Sequence, residues 1–114
     1  MAHQSEVDCT TVHSAIQDTL YVVNGKWKLL LLSILINEGT KRFGELVRAS
    51  GISPRILSKE LHELELNQLV SRQVCPTKPV TVEYSATDYA QTLKEVIDAM
   101  IRWGQNHKRK LVSR

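Results

Sequence analysis

The chain has 114 residues, 42% hydrophobic and 24% charged, with a formal net charge of +3. That balance fits one globular domain with its own core and excludes a disordered or low-complexity polymer. The longest apolar run, "LLLLSILI" (29–36), falls far short of the roughly 20 residues a membrane span needs, and the polar start "MAHQSEVDC" is unlike a secretory leader. Cys9 and Cys75 make neither a disulfide framework nor a zinc spacing. A cytoplasmic, reduced protein is expected, away from membranes and with no metal or cofactor.

Residues 1–10 read as a flexible arm. Over 11–23, Val12, Ile16, Leu20 and Val23 form one helical stripe. Asn24-Gly25 stops it, because both residues tolerate the left-handed conformation that ends helices. The next helix, "KWKLLLLSILINEG" (26–39), is apolar nearly all round and belongs at the centre of the domain. A third, 41–50, offers Phe43, Leu46 and Val47 to the core before Ser50-Gly51 turns the chain. The fourth, 53–67, opens on Ser53 as cap and Pro54 in the first turn, and buries Leu57, Leu61 and Leu64.

The period then changes. "LVSRQVC" and "VTVEYSA" alternate as half-buried strands do, giving a hairpin over 69–86. "PTKP" is its tip, since two prolines do not fit inside a central strand. Thr87-Asp88 caps a last helix, 88–109, with Leu93, Val96, Ile97, Met100 and Ile101 on one face. Its closing "HKRK" places cations at the negative end of the helix dipole. The fold class is mostly α with a small β-hairpin wing.

Helices three and four (41–67), joined by "SGIS", have helix-turn-helix spacing. In that motif the second helix presents its N-terminal residues to base edges in the major groove. A hairpin directly after it makes a winged helix. Charge supports a polyanionic partner, double-stranded DNA. Between residues 26 and 59 stand Lys26, Lys28, Lys41, Arg42, Arg48, Arg55 and Lys59, against Glu38 and Glu45 alone. Glu60, Glu63 and Glu65 follow, toward the far end of the fourth helix.

Ser53, Arg55, Ser58 and Lys59 are candidate contacts to bases or adjacent phosphates. His62 is a further candidate, equally well explained as a solvated residue. Lys41 and Arg42 are expected at the N-terminus of the third helix, where side-chain charge and free backbone N–H groups both favour phosphate. Lys78 at the hairpin tip is either a further phosphate contact or part of a solvated turn.

Three local signatures carry a family resemblance: Gly25-Lys26-Trp27, Arg42-Phe43-x-Glu45-Leu46, and Val82-Glu83-Tyr84-Ser85-x-Thr87. In this order they resemble the HxlR-type winged helix-turn-helix transcriptional regulators, relatives of the MarR type, over about residues 14–104. The resemblance implies a bacterial, nucleoid-associated DNA-binding regulator. It also implies a homodimer whose first and last helices (11–23 and 88–109) pair across the two-fold. The apolar stripes agree, being more than a small winged helix buries alone. Ile16, Leu20, Leu93, Val96, Ile97, Met100, Ile101 and Trp103 are the expected interface.

Many members of this family carry Cys-Pro at the start of the first helix, and in some that cysteine senses oxidants. Here the position falls on Ser14-Ala15. Cys9 lies upstream, and redox sensing by it is set against a bystander thiol in the arm. Asp8 beside it opposes the lowered pKa a sensor needs. Cys75 reads as a small apolar filler. Neither an oxidant nor a small-molecule effector is indicated.

No enzyme is expected, because phosphate-binding glycine loop, nucleophile elbow and convergent acid pair are all lacking. His3, His13, His62 and His107 have no metal spacing. Trp27 and Trp103 read as core or interface rather than ligand platforms. The alternative function is a winged-helix protein–protein module without specific DNA binding. Such a module needs apolar residues at 55, 58, 59 and 62, where this chain has Arg, Ser, Lys and His.

Overall fold

A computed structural model describes residues 9–113. The elements run α1 (Cys9–Val22), α2 (Lys28–Glu38), β1 (Lys41–Arg42), α3 (Phe43–Ser50), α4 (Pro54–Leu66), β2 (Val70–Cys75), β3 (Thr81–Ala86), a 3-10 turn (Ala90–Leu93) and α5 (Lys94–Val112). The core gathers around α2, whose Leu31, Leu32 and Leu35 meet Leu46 of α3 and Leu57, Leu61 and Leu64 of α4. Ile52, in the turn between α3 and α4, is also buried and fixes the angle between them.

The turn is built by local chemistry. Gly51 adopts φ +73° and donates its N–H to the Val47 carbonyl at 2.9 Å, closing α3 in a conformation that a side chain would strain. Ser53 then caps α4: its hydroxyl accepts the Ile56 N–H at 3.4 Å, and Pro54 takes the first turn, where no N–H is needed. Ser53→Ala therefore lowers stability by about 1 kcal/mol. Ser53→Asp retains the cap, so thermal melting of the two variants separates capping from any role of the hydroxyl at the surface.

Three expectations are corrected. Cys9 and Thr10 belong to α1 rather than to an arm; the rest of the expected arm, 1–8, lies outside the described residues. Lys41 and Arg42 do not begin the third helix. They form a third strand, paired antiparallel with β3 (Lys41 opposite Tyr84, Arg42 opposite Glu83), giving the sheet order β1-β3-β2. Their backbone runs along β3 and the Arg42 N–H is taken by the Glu45 carboxylate, so α3 starts at Phe43 with Arg42 as its N-cap. The last helix is shorter at its start and longer at its end than 88–109. The Thr87 hydroxyl accepts the Ala90 N–H at 3.1 Å, but what it opens is the 3-10 turn, and α5 runs on to Val112.

Within α5 the apolar face divides. Ile97 is 4% exposed and packs in the protomer's own core, where it had been expected at a subunit seam. Leu93 is half-buried against the same core. Val96, Met100, Ile101 and Trp103 stay exposed, as do Val12, Ile16 and Leu20 on α1, a helix that buries no residue. Among the described residues no helix is long and apolar enough to cross a membrane.

Candidate nucleic-acid interface

With Leu57, Leu61 and Leu64 drawn into the core, the opposite side of α4 is fixed outward. Arg55, Ser58, Lys59 and His62 recur at i, i+3, i+4 and i+7 and are all exposed, so they form one continuous hydrogen-bonding face. Ser53, at the head of that face, is exposed as well, and its hydroxyl oxygen is occupied by the cap. The Lys59 side chain is 69% exposed but leans along the helix, 3.4 Å from Glu63 and 3.8 Å from Glu60.

Around this face the other candidates take unequal places. Arg42 is exposed, and its backbone N–H donates to Glu45 Oε1 at 2.8 Å. That bond, reinforced by Lys41, Arg42 and Arg48 nearby, holds the Glu45 carboxyl below the usual carboxylate value. Lys41 is half-buried and paired with Glu38 at 3.3 Å, which makes it a weaker phosphate candidate than Arg42. Lys78 sits exposed in the loop between β2 and β3, where the Thr77 hydroxyl donates to the Pro79 carbonyl at 2.8 Å.

Arg48 belongs to the basic segment, and nothing in the sequence marks it as a separate site residue. It is exposed, and with Arg42 it lines a cleft of about 510 Å³ between α3 and β3, floored by Phe43, Val82 and Tyr84. Arg72, exposed on β2 opposite Tyr84, adds a cation to the wing. Nothing in the alternation of β2 distinguishes it from any outward-facing polar residue.

The largest departure from the sequence reading concerns charge. Lys28 does not face a partner. It is 3% exposed, and its ammonium donates to Glu60 Oε1 at 2.7 Å, Glu63 Oε1 at 2.6 Å and Asn24 Oδ1 at 3.2 Å. Glu60 accordingly does not stand at the outer end of α4. It is buried and turned toward α2. The outer face of α4 thus sheds an acid, and the basic segment loses one cation to the interior.

Trp27 is half-buried against the core, with the Lys26 ammonium 4.8 Å above its ring. Trp103 is 68% exposed and stacks on His107. Cys9 is exposed and Cys75 half-buried. Among the described residues no group of His, Cys, Asp and Glu is placed to hold a metal.

A helix-turn-helix followed by a β-hairpin wing that completes a three-stranded sheet, with a basic outer face on the second helix, defines a winged helix DNA-binding protein. The chain belongs to the HxlR-like helix-turn-helix family, whose model matches residues 22–111. It is 38% identical over 97 residues to the HTH-type transcriptional regulator YdzF of Bacillus subtilis, covering 84% of this chain and 89% of that one. It is 41% identical over 87 residues to the regulator BH0655 of Halalkalibacterium halodurans, covering 75% and 77%. Among solved structures it resembles the redox regulator HypR in its reduced form, with TM-score 0.80, 38% identity and coverage of 88% and 99%. It also resembles the reduced form of the B. subtilis regulator YodB, with TM-score 0.69, 33% identity and coverage of 78% and 87%. The family and these relatives are transcriptional regulators, not enzymes, and this chain is a DNA-binding transcriptional regulator of the same kind.

Proposed function

We propose that the protein acts in the bacterial cytoplasm, on the nucleoid, as a homodimer that inserts α4 of each subunit into the major groove of a palindromic operator. The observation that carries this reading is the outer face of α4: Arg55, Ser58, Lys59 and His62 all point outward while Glu60 is turned inward. Arg and Ser side chains are suited to base edges, and Lys to phosphate. Arg42 and Lys78, with Lys41 in a lesser part, neutralise phosphates and fix the register. A protein-binding module would need this face to be apolar.

The dimer is supported by what the protomer leaves uncovered. α1 buries nothing, and Ile16, Leu20, Val96, Met100, Ile101 and Trp103 are exposed. The Cα radius of gyration is 17.0 Å, where a compact domain of this length has about 13 Å. Two copies joined through α1 and the outer half of α5 would cover those side chains and set the two α4 helices about one DNA turn apart, roughly 34 Å. Ile97 packs in the protomer core and Leu93 is half-buried against it, which leaves the outer residues of α5 to make the seam. Cys9 acts as a bystander thiol, and neither an oxidant nor a small-molecule effector is indicated.

The test is selection of genomic fragments on the purified protein. Recovery of a palindromic site with half-sites one helical turn apart is the expected result. Failure to enrich any sequence would point to the protein-binding alternative.

A further inference from the structure

Two carboxylates on α4 each face two ammoniums. The Oε1 atoms of Glu60 and Glu63 take Lys28, at 2.7 and 2.6 Å, from inside the protein. Their Oε2 atoms face Lys59, at 3.8 and 3.4 Å, from the outer side. Lys28 comes from α2, thirty-two residues from Glu60, and is locked by Asn24 as well. Lys59 is the only one of the four on the proposed DNA face. Carboxylates without the buried cation would turn to Lys59, and a DNA phosphate would have to compete with them for it.

We infer that Lys28 is a positioning residue for DNA binding: it draws Glu60 and Glu63 inward and neutralises them, so that the Lys59 ammonium is available to a phosphate. This rests on the reading of α4 as the DNA-facing helix. The short contacts to Lys28 and the longer ones to Lys59 give the order of preference. Hydrogen bonding to Lys28 also leads the causes that hold the Glu63 carboxyl below its usual value, with Lys59 contributing less. The bridge further ties the DNA-facing helix to the α1–α2 junction at Asn24.

The experiment titrates a labelled mixed-sequence DNA duplex at several salt concentrations, with melting curves to confirm folding. Lys28→Met combined with Glu60→Gln keeps the net charge and leaves no lone buried carboxylate. Glu63 then has only Lys59. This pair of substitutions is expected to weaken binding several-fold and to make the slope of log K against log salt shallower by about 0.9, one phosphate contact. Adding Glu63→Gln restores affinity and slope, whereas adding Asp88→Asn, the same charge change at an exposed site distant in sequence, does not. Glu63→Gln alone preserves the Lys28–Glu60 pair and the fold, and changes binding no more than Asp88→Asn alone, because Lys28 already holds Glu63 in the parent. A Lys28/Glu60 variant that binds as the parent does, or equal effects of the Glu63 and Asp88 substitutions in that variant, would overturn the inference while leaving DNA binding intact. A parent that binds no duplex at low salt would overturn the DNA-binding reading and this inference together.

Discussion

Lys28→Met lowers the unfolding free energy by about 3–5 kcal/mol, because removing one partner of a buried ion pair strands the other charge. Here the stranded group is Glu60, whose side chain is 10% exposed and keeps only the long 3.8 Å contact to Lys59. A domain of this size has about 5–15 kcal/mol in total, so the loss is a large fraction of it. Lys28→Met with Glu60→Gln removes the stranded charge and recovers most of the loss. Chemical denaturation of the two variants beside the parent checks this, and a double variant as unstable as the single one would show that the lost contact, not the stranded charge, dominates.

The pH dependence follows from the same groups. Burial depresses the Lys28 ammonium, but hydrogen bonds to Glu60 and Glu63 outweigh it, so its pKa lies above the ordinary 10.5. Its contribution is therefore complete below 10.5 and lost only as pH rises through the higher folded value. Glu63 is shifted the other way, so its contribution is present above the usual carboxylate value and fades as pH falls through the lowered one. Across neutral pH the contribution of this pair to the parent's stability is therefore expected to stay constant.

Met100→Glu is expected to give monomers and to weaken operator binding by about two to four orders of magnitude, the advantage lost when two linked half-sites become one. Met100 is 51% exposed on the protomer, so the substitution leaves the protomer core intact while placing charge in the proposed seam. Ile97 would be the wrong choice, since a charge there breaks the core of each subunit. Light scattering at micromolar concentration checks the assembly, and titration of the operator checks the binding. A parent chain that is already monomeric would contradict the dimer.

Much of this fold is written in periodicity. The leucine stripes of α2 and α4, the Ser53 cap, the glycine turn and the alternation of β2 and β3 are local features, and local chemistry forms them. β1 was not legible because two extended residues have no period; only pairing with β3, some forty residues on, makes Lys41 and Arg42 a strand. The α5 stripe was legible as apolar, but a single stripe does not tell which of its residues serve the protomer (Ile97) and which are left outside (Met100). The Lys28 bridge does leave a signal in the sequence. Lys28 stands with Leu31, Leu32 and Leu35, and Glu60 with Leu57, Leu61 and Leu64, each at i, i+3, i+4, i+7 spacing. A charge at a core position on each of two packed helices calls for a buried pair.

The central claim is that the outer face of α4 reads DNA sequence, and the direct measurement is a titration of Arg55→Ala against the selected operator and a scrambled duplex at several salt concentrations. Arg55 is exposed near the start of α4 and makes no ion pair among the described residues. If it grips a base edge through two hydrogen bonds, its loss costs about 1–3 kcal/mol on the operator, little on scrambled DNA, and relaxes discrimination at one base pair. Arg42→Ala is the internal control: it should weaken both duplexes alike and make the salt slope shallower by about one unit. Equal weakening of both duplexes by Arg55→Ala would make Arg55 a phosphate contact and contradict base reading by this face. No weakening by either variant would leave α4 a solvated surface and favour the protein-binding alternative.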